Sequence, residues 1–351
     1  MHDSTGTRAI AYDIRMDQPE NSQPTIARQD RDTNWPKISV VVPVYEPGPY
    51  LIDAINSVLS QDTGPAEMQV AVVDDSSPTC QVQALIDELL PPGRVEFYRN
   101  TENRGLSGNW NECLRIARGE IIHLLHQDDR VAPGFYSRML PAFAADSRIG
   151  MAFCRHAFID GEDRITRISH RERWLTGPLP DWLPKIAVQQ RIQCASALVR
   201  RSVYEQLGGY RSDLRYALDW EMWVRIAAQY GVWYEPRLLA YYRRHEHNES
   251  ARLRNDDLIN CDLLKAIELI AERVPVTQRT QLSDKAYAHF AHRALKRLES
   301  QVNGSKGVAK DITKQLAPVI TAVARISANA TRLQRRVSRL EDSKCKPRSR
   351  T

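Results

Sequence analysis

Two short hydrophobic runs, each ending in a pair of acidic residues, constrain the fold of this chain most. The first run covers residues 70–73 and ends in Asp74 and Asp75, and the second covers residues 121–125 and leads into His-Gln-Asp-Asp at residues 126–129. Short apolar runs of β-branched residues followed by turn-forming residues are typical of buried strands in a parallel sheet. Because ligands of open α/β sheets bind beyond the carboxyl ends of the strands, both runs predict a ligand site at one edge of the sheet.

Two carboxylate pairs at one edge of a sheet repel each other, so we expect a bound cation to offset their charge. Hard oxygen ligands suit Mg²⁺ or Mn²⁺. The simplest interpretation is a divalent cation bound together with a phosphate-bearing ligand. The acidic strand ends therefore indicate a nucleotide-diphosphate site.

Strand-like and helix-like patterns alternate over residues 37–145. Predicted strands cover residues 37–44, 68–73, 95–98 and 120–125, and predicted helices cover residues 51–59, 81–90 and 106–117. This alternation is typical of a mostly parallel sheet with helices on both faces. Farther along the chain, the patterns predict strands over residues 149–159, 164–168, 192–199 and 238–242 and helices over residues 202–207 and 219–230.

Composition and patterning divide the chain into three parts. Residues 1–35 are polar and aperiodic, which predicts a disordered leader. Residues 36–250 hold the α/β domain, and residues 251–351 are predicted to form a helical, basic C-terminal extension. From residue 252 onward there are 21 Lys and Arg against 10 Asp and Glu. Such a tail suits an anionic membrane surface, nucleic acid or an acidic partner, and we expect peripheral membrane contact and no nucleic acid.

The extension ends in a hydrophobic seam whose members alternate steps of four and three residues. The seam consists of Ile312, Leu316, Val319, Val323, Ile326, Ala330, Leu333, Val337 and Leu340. A helix with this heptad pattern must bury its stripe, either against its own domain or against a partner copy. Both interpretations stay open, and we predict a homodimer, or looser self-association, through residues 318–342.

Cysteine usage and the lack of long apolar segments indicate a cytoplasmic protein, with contact at most at the inner face of the membrane. The six cysteines occur singly, without a Cys-x-x-Cys pair. This spacing argues against structural zinc and a disulfide framework, and it favours a reducing compartment. The amino terminus lacks the apolar core of a signal peptide, and no stretch approaches the roughly 20 apolar residues that span a bilayer.

Five motifs follow one another between the first predicted strand and the helix predicted near residue 219. They are Val41-Val42-Pro43-Val44-Tyr45, Val72-Val73-Asp74-Asp75-Ser76-Ser77, Asn103-Arg104-Gly105, His126-Gln127-Asp128-Asp129, and Leu207-Gly208-Gly209-Tyr210 followed by Asp219-Trp220-Glu221. In this order and spacing they resemble the family 2 inverting glycosyltransferases, over roughly residues 37–250. The resemblance implies a GT-A-type, Rossmann-like α/β fold with a mostly parallel sheet and flanking helices.

The first two motifs resemble the base-binding part of that family. Pro43 would fix the turn after the first strand, and Tyr45 would lie against a nucleobase. The resemblance assigns to Asp74 a hydrogen bond from a pyrimidine N3–H, which uracil and thymine have and cytosine lacks, and it places Asp75 nearby. It therefore implies a UDP- or dTDP-sugar as donor, while ordinary turns at the strand ends are the alternative.

The next motifs resemble the part of the family that binds the diphosphate. Arg104 would neutralise diphosphate charge and Gly105 would permit close backbone approach, although a surface arginine in a turn is the alternative. The family usually has Asp-x-Asp-Asp where this chain has His126, which would either contact the metal or nucleotide as a neutral imidazole or weaken the ribose contact. Asp128 matches the metal ligand, and His245 of a Tyr-Arg-x-His-like element is a second metal candidate. An imidazole ligand suits Mn²⁺ better than Mg²⁺.

Asp219 is the candidate catalytic residue. Without the resemblance, an acid at the start of a predicted helix is an ordinary N-cap. The resemblance aligns Asp219 with the general base that deprotonates the acceptor hydroxyl as this hydroxyl attacks the anomeric carbon. Glu221 is the next candidate for the base, and we expect Arg225 to be its ion-pair partner one helical turn later rather than a catalytic group.

The resemblance implies an inverting, metal-dependent hexosyltransferase. It would act in the assembly of a cell-surface polysaccharide or glycolipid, on a carbohydrate or lipid-linked acceptor. A non-catalytic nucleotide-sugar-binding scaffold is the main alternative. A nucleotidyltransferase is less favoured, since residues 45–49 lack the Gly-rich loop with Arg and Lys of those enzymes. A dehydrogenase is disfavoured because no Gly-x-Gly-x-x-Gly follows the first strand.

Overall fold

The fold was taken from a computed structural model of the chain, which describes residues 23–28, 35–246, 248, 258–304, 318–323 and 325. Within these ranges ten strands form one sheet. They are β1 Ile38–Val44, β2 Met68–Asp74, β3 Glu96–Arg99, β4 Ile121–Leu124, β5 Arg130–Val131, β6 Ile149–Ile159, β7 Ile165–Ile168, β8 Gly177–Pro178, β9 Ala197–Arg200 and β10 Gly231–Arg243.

Helices follow most of the strands of the amino-terminal half, as the alternating pattern predicted. In the described ranges they are α1 Leu51–Leu59, α2 Val82–Leu89, α3 Gly105–Ile116, α4 Phe135–Met139, α5 Pro141–Ala145, α6 Trp182–Ile186, α7 Arg201–Leu207, α8 Leu218–Ala227, α9 Leu258–Arg273 and α10 Val276–Gly304. A further helical turn covers residues 318–323. The predicted boundaries of the helices are close to those observed.

The strand order is β3-β2-β1-β4-β9-β6-β10-β5, with β7 beside β6 and β8 beside β10. The pairs β1–β2, β1–β4, β2–β3 and β6–β10 are parallel. Strand β9 is antiparallel to both of its neighbours, β4 and β6. The prediction of a mixed α/β fold with a mostly parallel central sheet is confirmed.

Helices cover both faces of the sheet because the central strands are apolar on both faces. Every residue of β1 is buried, and successive side chains of a strand point to opposite faces. Val41 packs into the core on one face, which includes Trp110 of α3. Val40 and Val42 pack into the core on the other face, which includes Ile55 of α1. This explains why an uninterrupted apolar run predicted a strand buried on both sides.

The strand predicted over residues 192–199 is shorter than expected. Residues Cys194–Ser196 form a 3₁₀ turn, and the strand itself is Ala197–Arg200. Buried apolar runs of this length do not distinguish a strand from a turn that packs under a sheet. The turn leads directly into β9, which lies between β4 and β6 in the sheet. All three residues of the turn are buried.

The leader and the helical extension both contact the α/β domain. In the leader, Ile26 is buried in the core and the Pro24 carbonyl accepts a hydrogen bond from Gly209 N (2.8 Å), so residues 23–28 are packed rather than disordered. In the extension, Asp262 of α9 accepts hydrogen bonds from the backbone N–H groups of residues 215–217, just before α8. The extension therefore continues the core of the domain.

Two members of the heptad seam lie in the described part of the chain. Val319 and Val323 are 0% and 5% exposed, and they belong to the same core as helices α9 and α10. For these two residues the stripe packs against its own chain. The other seven members of the seam lie outside the described residues, so self-association through residues 318–342 stays a prediction, as does membrane contact by the basic tail. Among the described residues, no helix is both long and apolar enough to cross a membrane.

Candidate active site

The acid that ends β2 is occupied by its own neighbours. Asp74 Oδ1 accepts hydrogen bonds from the Ser77 backbone N (3.1 Å) and from Ser77 Oγ (2.5 Å). Asp74 Oδ2 pairs with Arg99 Nη1 at 2.5 Å, and the side chain is fully buried. Both carboxylate oxygens of Asp74 thus have protein partners, which hold the loop after β2.

Asp75 has a carboxylate oxygen that its neighbours leave open. Its Oδ1 accepts hydrogen bonds from Asn100 Nδ2 (2.7 Å) and from the Arg104 backbone N (2.9 Å). Its own backbone N donates to the Val44 carbonyl at the end of β1 (2.7 Å). Within the described residues, no hydrogen bond reaches Oδ2. Asp75 therefore joins the ends of β1 and β2 to the start of α3 and keeps one acceptor atom.

The loop after β1 is tied to the loop after β4. Gln127 Oε1 accepts a hydrogen bond from Tyr45 N (3.0 Å), and Gln127 Nε2 donates to the Tyr45 carbonyl (3.3 Å). The Tyr45 side chain is 43% exposed, so its ring is available to a ligand. The expectation for Pro43 was wrong in its geometry: Pro43 lies inside β1, and the turn begins only after Val44.

Arg104 and Gly105 lie at the start of α3, next to Asp75. Arg104 is the N-cap residue, its side chain is 45% exposed, and its Nη1 lies 3.2 Å from Glu112 Oε2. Gly105 has a φ of +70°, a conformation that side-chain-bearing residues rarely adopt. The glycine thus permits the sharp entry into the helix, and the arginine remains accessible to an anionic ligand.

Acidic and imidazole groups converge after β4. Single ligand-capable atoms of His126, Asp128 and Asp129 all lie within 4.8 Å of one another. His245, which follows β10, places its Nε2 3.1 Å from Asp128 Oδ2. The predicted metal candidates Asp128 and His245 are therefore neighbours, and Asp129 joins them.

Two buried atoms of this cluster have no hydrogen-bond partner within the described residues. They are His126 Nε2 and Asp129 Oδ2, while Asp129 Oδ1 accepts from the Arg243 backbone N (2.9 Å). Burial, followed by the charge of Asp128, raises the pKa of Asp129, and burial lowers the pKa of His126. His126 Nδ1 lies 3.6 Å from Asp129 Oδ2. A divalent cation would satisfy Asp129 Oδ2 and offset the paired carboxylates, so this donor set fits Mn²⁺ or Mg²⁺.

Arg243 supports the cluster of His126, Asp128 and Asp129; the sequence analysis included it in the Tyr-Arg-x-His-like element but gave it no role of its own. Its Nε donates to the Asp128 carbonyl (3.0 Å), its Nη1 lies 2.7 Å from Asp163 Oδ1, and its guanidinium lies 4.2 Å from the centre of the Tyr50 ring. The residue is 2% exposed. Because its partners lie more than 70 positions away in the chain, the sequence could not show which groups it contacts.

Asp219 lies at the second position of α8 and is not its N-cap. The cap residue is Ala217, and Asp262 binds the free backbone N–H groups that precede the helix. Asp219 Oδ2 accepts from Gln190 Nε2 (2.6 Å), and Oδ1 accepts from the Trp220 backbone N (2.6 Å). Burial raises the pKa of Asp219 to about 7. The carboxylate is thus held in place and can gain or lose a proton near neutral pH.

Asp219 lines a cavity of about 470 Å³. Residues of the segment 188–193 and of helices α9 and α10 form other parts of its wall. Burial, followed by the charges of Asp219 and Asp129, raises the pKa of the Cys194 thiol. Cys194 therefore lies within electrostatic range of both carboxylates.

Glu221 and Arg225 form a buried ion pair away from this cavity. Glu221 Oε2 lies 2.7 Å from Arg225 Nη2, and the two side chains are 0% and 1% exposed. Arg225 also donates to the carbonyls of Leu207 (2.6 Å) and Gly209 (3.0 Å). The prediction that Arg225 is the i,i+4 partner of Glu221 is confirmed. Glu221 does not line the cavity, so it supports the Gly-Gly turn rather than a reaction.

Comparisons with known proteins show the family to which the chain belongs. Residues 39–208 match the family described as Glycosyl transferase family 2. An uncharacterized protein of Mycobacterium tuberculosis is 30% identical over 232 residues, which are 62% of this chain and 70% of that protein. WcaA of Escherichia coli K12, whose name assigns it to colanic acid biosynthesis as a glycosyl transferase, is 26% identical over 204 residues, which are 56% of this chain and 68% of WcaA.

A solved structure has the same fold. The crystal structure of S. aureus TarS 1-349 in complex with UDP-GlcNAc aligns with a TM-score of 0.60 at 17% sequence identity. The alignment covers 85% of this chain and 83% of that chain. It therefore extends beyond the α/β domain.

Proposed function

Because the chain belongs to glycosyl transferase family 2, we propose that it transfers a sugar from a UDP- or dTDP-sugar to an acceptor hydroxyl, with inversion at the anomeric carbon. The observation that carries this proposal is Asp219, a carboxylate with a pKa of about 7 that lines a cavity of about 470 Å³. A base of this pKa matches proton transfer at neutral pH.

In the proposed reaction, Asp219 accepts the proton of the acceptor hydroxyl while the hydroxyl oxygen attacks the anomeric carbon. The bond between this carbon and the diphosphate oxygen breaks on the opposite face, which inverts the configuration and needs no covalent glycosyl enzyme. General base catalysis of this kind contributes about 10²–10⁴-fold. Gln190, which donates to Asp219 Oδ2, would keep the carboxylate oriented toward the acceptor.

The leaving diphosphate needs positive charge near it. A divalent cation held by Asp128, Asp129 and His126, with His245 beside Asp128, would supply this charge as a Lewis acid. Arg104, exposed at the start of α3, would supply a further cation. This donor set supports Mn²⁺ or Mg²⁺ as the cofactor, with Mn²⁺ favoured by the imidazoles.

For the nucleobase, we propose Asp75 in place of Asp74 as the acceptor of a pyrimidine N3–H. Asp74 already uses both carboxylate oxygens for Ser77 and Arg99. Asp75 retains Oδ2, and its backbone N donates to the carbonyl of Val44, the residue before Tyr45, whose accessible ring would lie against the base. A hydrogen bond from the pyrimidine N3–H to Asp75 would give the same preference for uracil or thymine over cytosine that was expected from Asp74.

Calorimetry with UDP, dTDP and CDP tests the donor assignment. UDP or dTDP should bind tighter than CDP, and ligand at 100 times its Kd should stabilise the chain by about 2.7 kcal/mol in thermal melts. Equal affinity for CDP would contradict the role of Asp75.

Release of UDP from a panel of UDP-sugars, measured with and without carbohydrate acceptors, distinguishes a transferase from a scaffold, because a scaffold binds the sugar nucleotide without releasing UDP.

We propose cell-surface polysaccharide or glycolipid assembly as the setting of the reaction. The support is the similarity to WcaA, whose name refers to colanic acid biosynthesis. A carbohydrate or lipid-linked acceptor follows from this setting.

A further inference from the structure

Four arginines line the cavity that contains Asp219, and Arg191 is one of them. The other three come from separate segments: Arg167 on β7, Arg244 just after β10, and Arg293 on α10. All three are exposed to solvent. Within the described part of the chain, none of them pairs with a carboxylate, and Arg167 lies over the Phe158 ring at 3.7 Å.

Arg244 and Arg293 lie close enough to Arg167 for their charges to act on it. Burial lowers the pKa of Arg167, and the charges of Arg244 and Arg293 lower it further. Like charges that share a cavity raise the free energy of the empty site. A bound anion would remove this cost, so the arrangement favours an anionic ligand.

The carboxylates of the cavity do not neutralise these arginines. Glu172 is paired with Arg191 at 2.8 Å and lies 3.8 Å from Lys185. Asp219 is held by Gln190 and by a backbone N–H. The cavity thus combines one candidate base with cationic groups that have no counter-charge among the residues described.

A buried imidazole adds a neutral polar group to the same wall. His156 is 3% exposed, and its Nδ1 has no hydrogen-bond partner within the described ranges. Burial lowers its pKa to about 3, so the ring is neutral and can exchange a hydrogen bond with a ligand oxygen. An unpartnered, deeply buried polar atom in a cavity indicates a ligand group that completes it.

We propose that this cavity binds the sugar acceptor through a phosphate group of the acceptor, held by Arg167, Arg244 and Arg293, with the acceptor hydroxyl at Asp219. The inference rests on the proposed function and specifies its acceptor as a phosphate ester. The two oxygens of a carboxylate lie in one plane and suit a bidentate contact with a single arginine. A phosphate presents oxygens in several directions, which suits three arginines from three elements.

This anion site is separate from the proposed diphosphate site. Arg243 and His245 contact Asp128, whereas no contact within the described residues joins Arg167, Arg244 or Arg293 to Asp128 or Asp129. Arg244 lies between Arg243 and His245 in the chain, but its side chain lines the cavity of Asp219. Donor and acceptor phosphates would therefore bind on the two sides of the segment 243–245.

Titration of the full chain with sn-glycerol 3-phosphate, with glycerol as the matched neutral probe, tests the inference. With saturating UDP and Mn²⁺ present, we expect saturable binding of the phosphate and none of glycerol. The combined variant Arg167→Gln, Arg244→Gln and Arg293→Gln should weaken phosphate binding at least tenfold and leave UDP affinity unchanged. Arg138→Gln, which removes an exposed arginine outside the cavity, is the control and should bind both like wild type.

The outcomes separate this inference from the proposed function. Phosphate binding that the combined variant retains, or that UDP displaces, would overturn the acceptor site. UDP binding without any phosphate binding would overturn it as well and leave the proposed function intact. Failure of the wild-type chain to bind UDP would overturn both. Unchanged UDP binding by the combined variant shows that the variant is folded.

Discussion

Among the single residues of the site, Asp219 offers the most direct test of the chemistry. Asn keeps the size of the side chain but cannot accept a proton. We expect Asp219→Asn to bind UDP like wild type and to turn over at least about 100-fold more slowly, since the base acts only on the acceptor. Calorimetry and steady-state UDP release measure the two quantities. Asp181→Asn, a substitution of an exposed acid outside the cavity, is the matched control and should change neither.

The raised pKa of Asp219 predicts a pH dependence of the rate. The carboxylate must be ionised to act as a base, and burial raises its pKa to about 7. We therefore expect kcat/KM to rise about tenfold per pH unit below 7 and to level off above it. A pH series with UDP binding measured in parallel checks this. A rate that stays flat from pH 5.5 to 8 would place the base elsewhere.

Asp128 tests the metal site. Its Oδ2 lies 3.1 Å from His245 Nε2, and it belongs to the cluster of possible ligands after β4. We expect UDP to bind at least tenfold tighter with Mn²⁺ than with EDTA, and Asp128→Ala to abolish this difference. Calorimetry measures both affinities, with Asp87→Ala on the surface of α2 as the control. Equal UDP affinity of wild type with and without EDTA would refute the metal requirement.

At the scale of elements, helix α8 depends on a buried ion pair that supports its neighbouring turn. Replacing one partner leaves the other charge buried, which costs about 3 kcal/mol. We therefore expect Glu221→Gln to lower the free energy of unfolding by that amount, measured by urea denaturation. The control is Glu162→Gln, because Glu162 also lies 2.7 Å from an arginine but both side chains are exposed. The free energy of unfolding that Glu162→Gln loses should stay below about 1 kcal/mol.

Equal losses in the two variants would contradict the structural role of Glu221. The contrast is informative because the two pairs share their distance and their chemistry and differ in burial. UDP binding by Glu221→Gln below its melting temperature should stay near wild type, since Glu221 does not line the cavity. This separates a role in stability from a role in the reaction.

At the scale of the whole molecule, the extension lines the cavity of Asp219 and also adds to the core. Helices α9 and α10 contribute Leu263, Ile267, His289 and Arg293 to the cavity of Asp219. Asp262 of α9 also binds the backbone that leads into α8. The choice of acceptor would therefore depend on residues far beyond the segment that matches the family, which ends at residue 208.

The extension also carries the prediction of self-association. We expect full-length protein to form a dimer, or a looser assembly, and a chain ending at Gly304 to be a monomer, because the shorter chain lacks residues 318–342. Multi-angle light scattering over a range of concentrations measures both masses. Monomer masses for both chains would show that the rest of the seam packs internally, as Val319 and Val323 do.

Local sequence patterns were enough to predict the layout of the sheet edge at which β1, β2 and β4 end. The apolar runs of β1, β2 and β4 predict buried parallel strands because local periodicity and β-branched residues suffice for that. Parallel strands bring their carboxyl ends to one edge, so Asp75, His126 and Asp128 could be predicted to lie together. The i,i+4 pair of Glu221 and Arg225 followed in the same way from helical spacing.

The tertiary structure alone decided which polar atoms of these residues remain open to a ligand. Asp74 and Asp75 are equivalent in sequence, yet Arg99 and Ser77 occupy both oxygens of Asp74. The grouping of Arg167, Arg244 and Arg293 around one cavity likewise joins three distant segments. Hydrogen bonds and burial depend on contacts between elements far apart in the chain, and local periodicity carries no information about them.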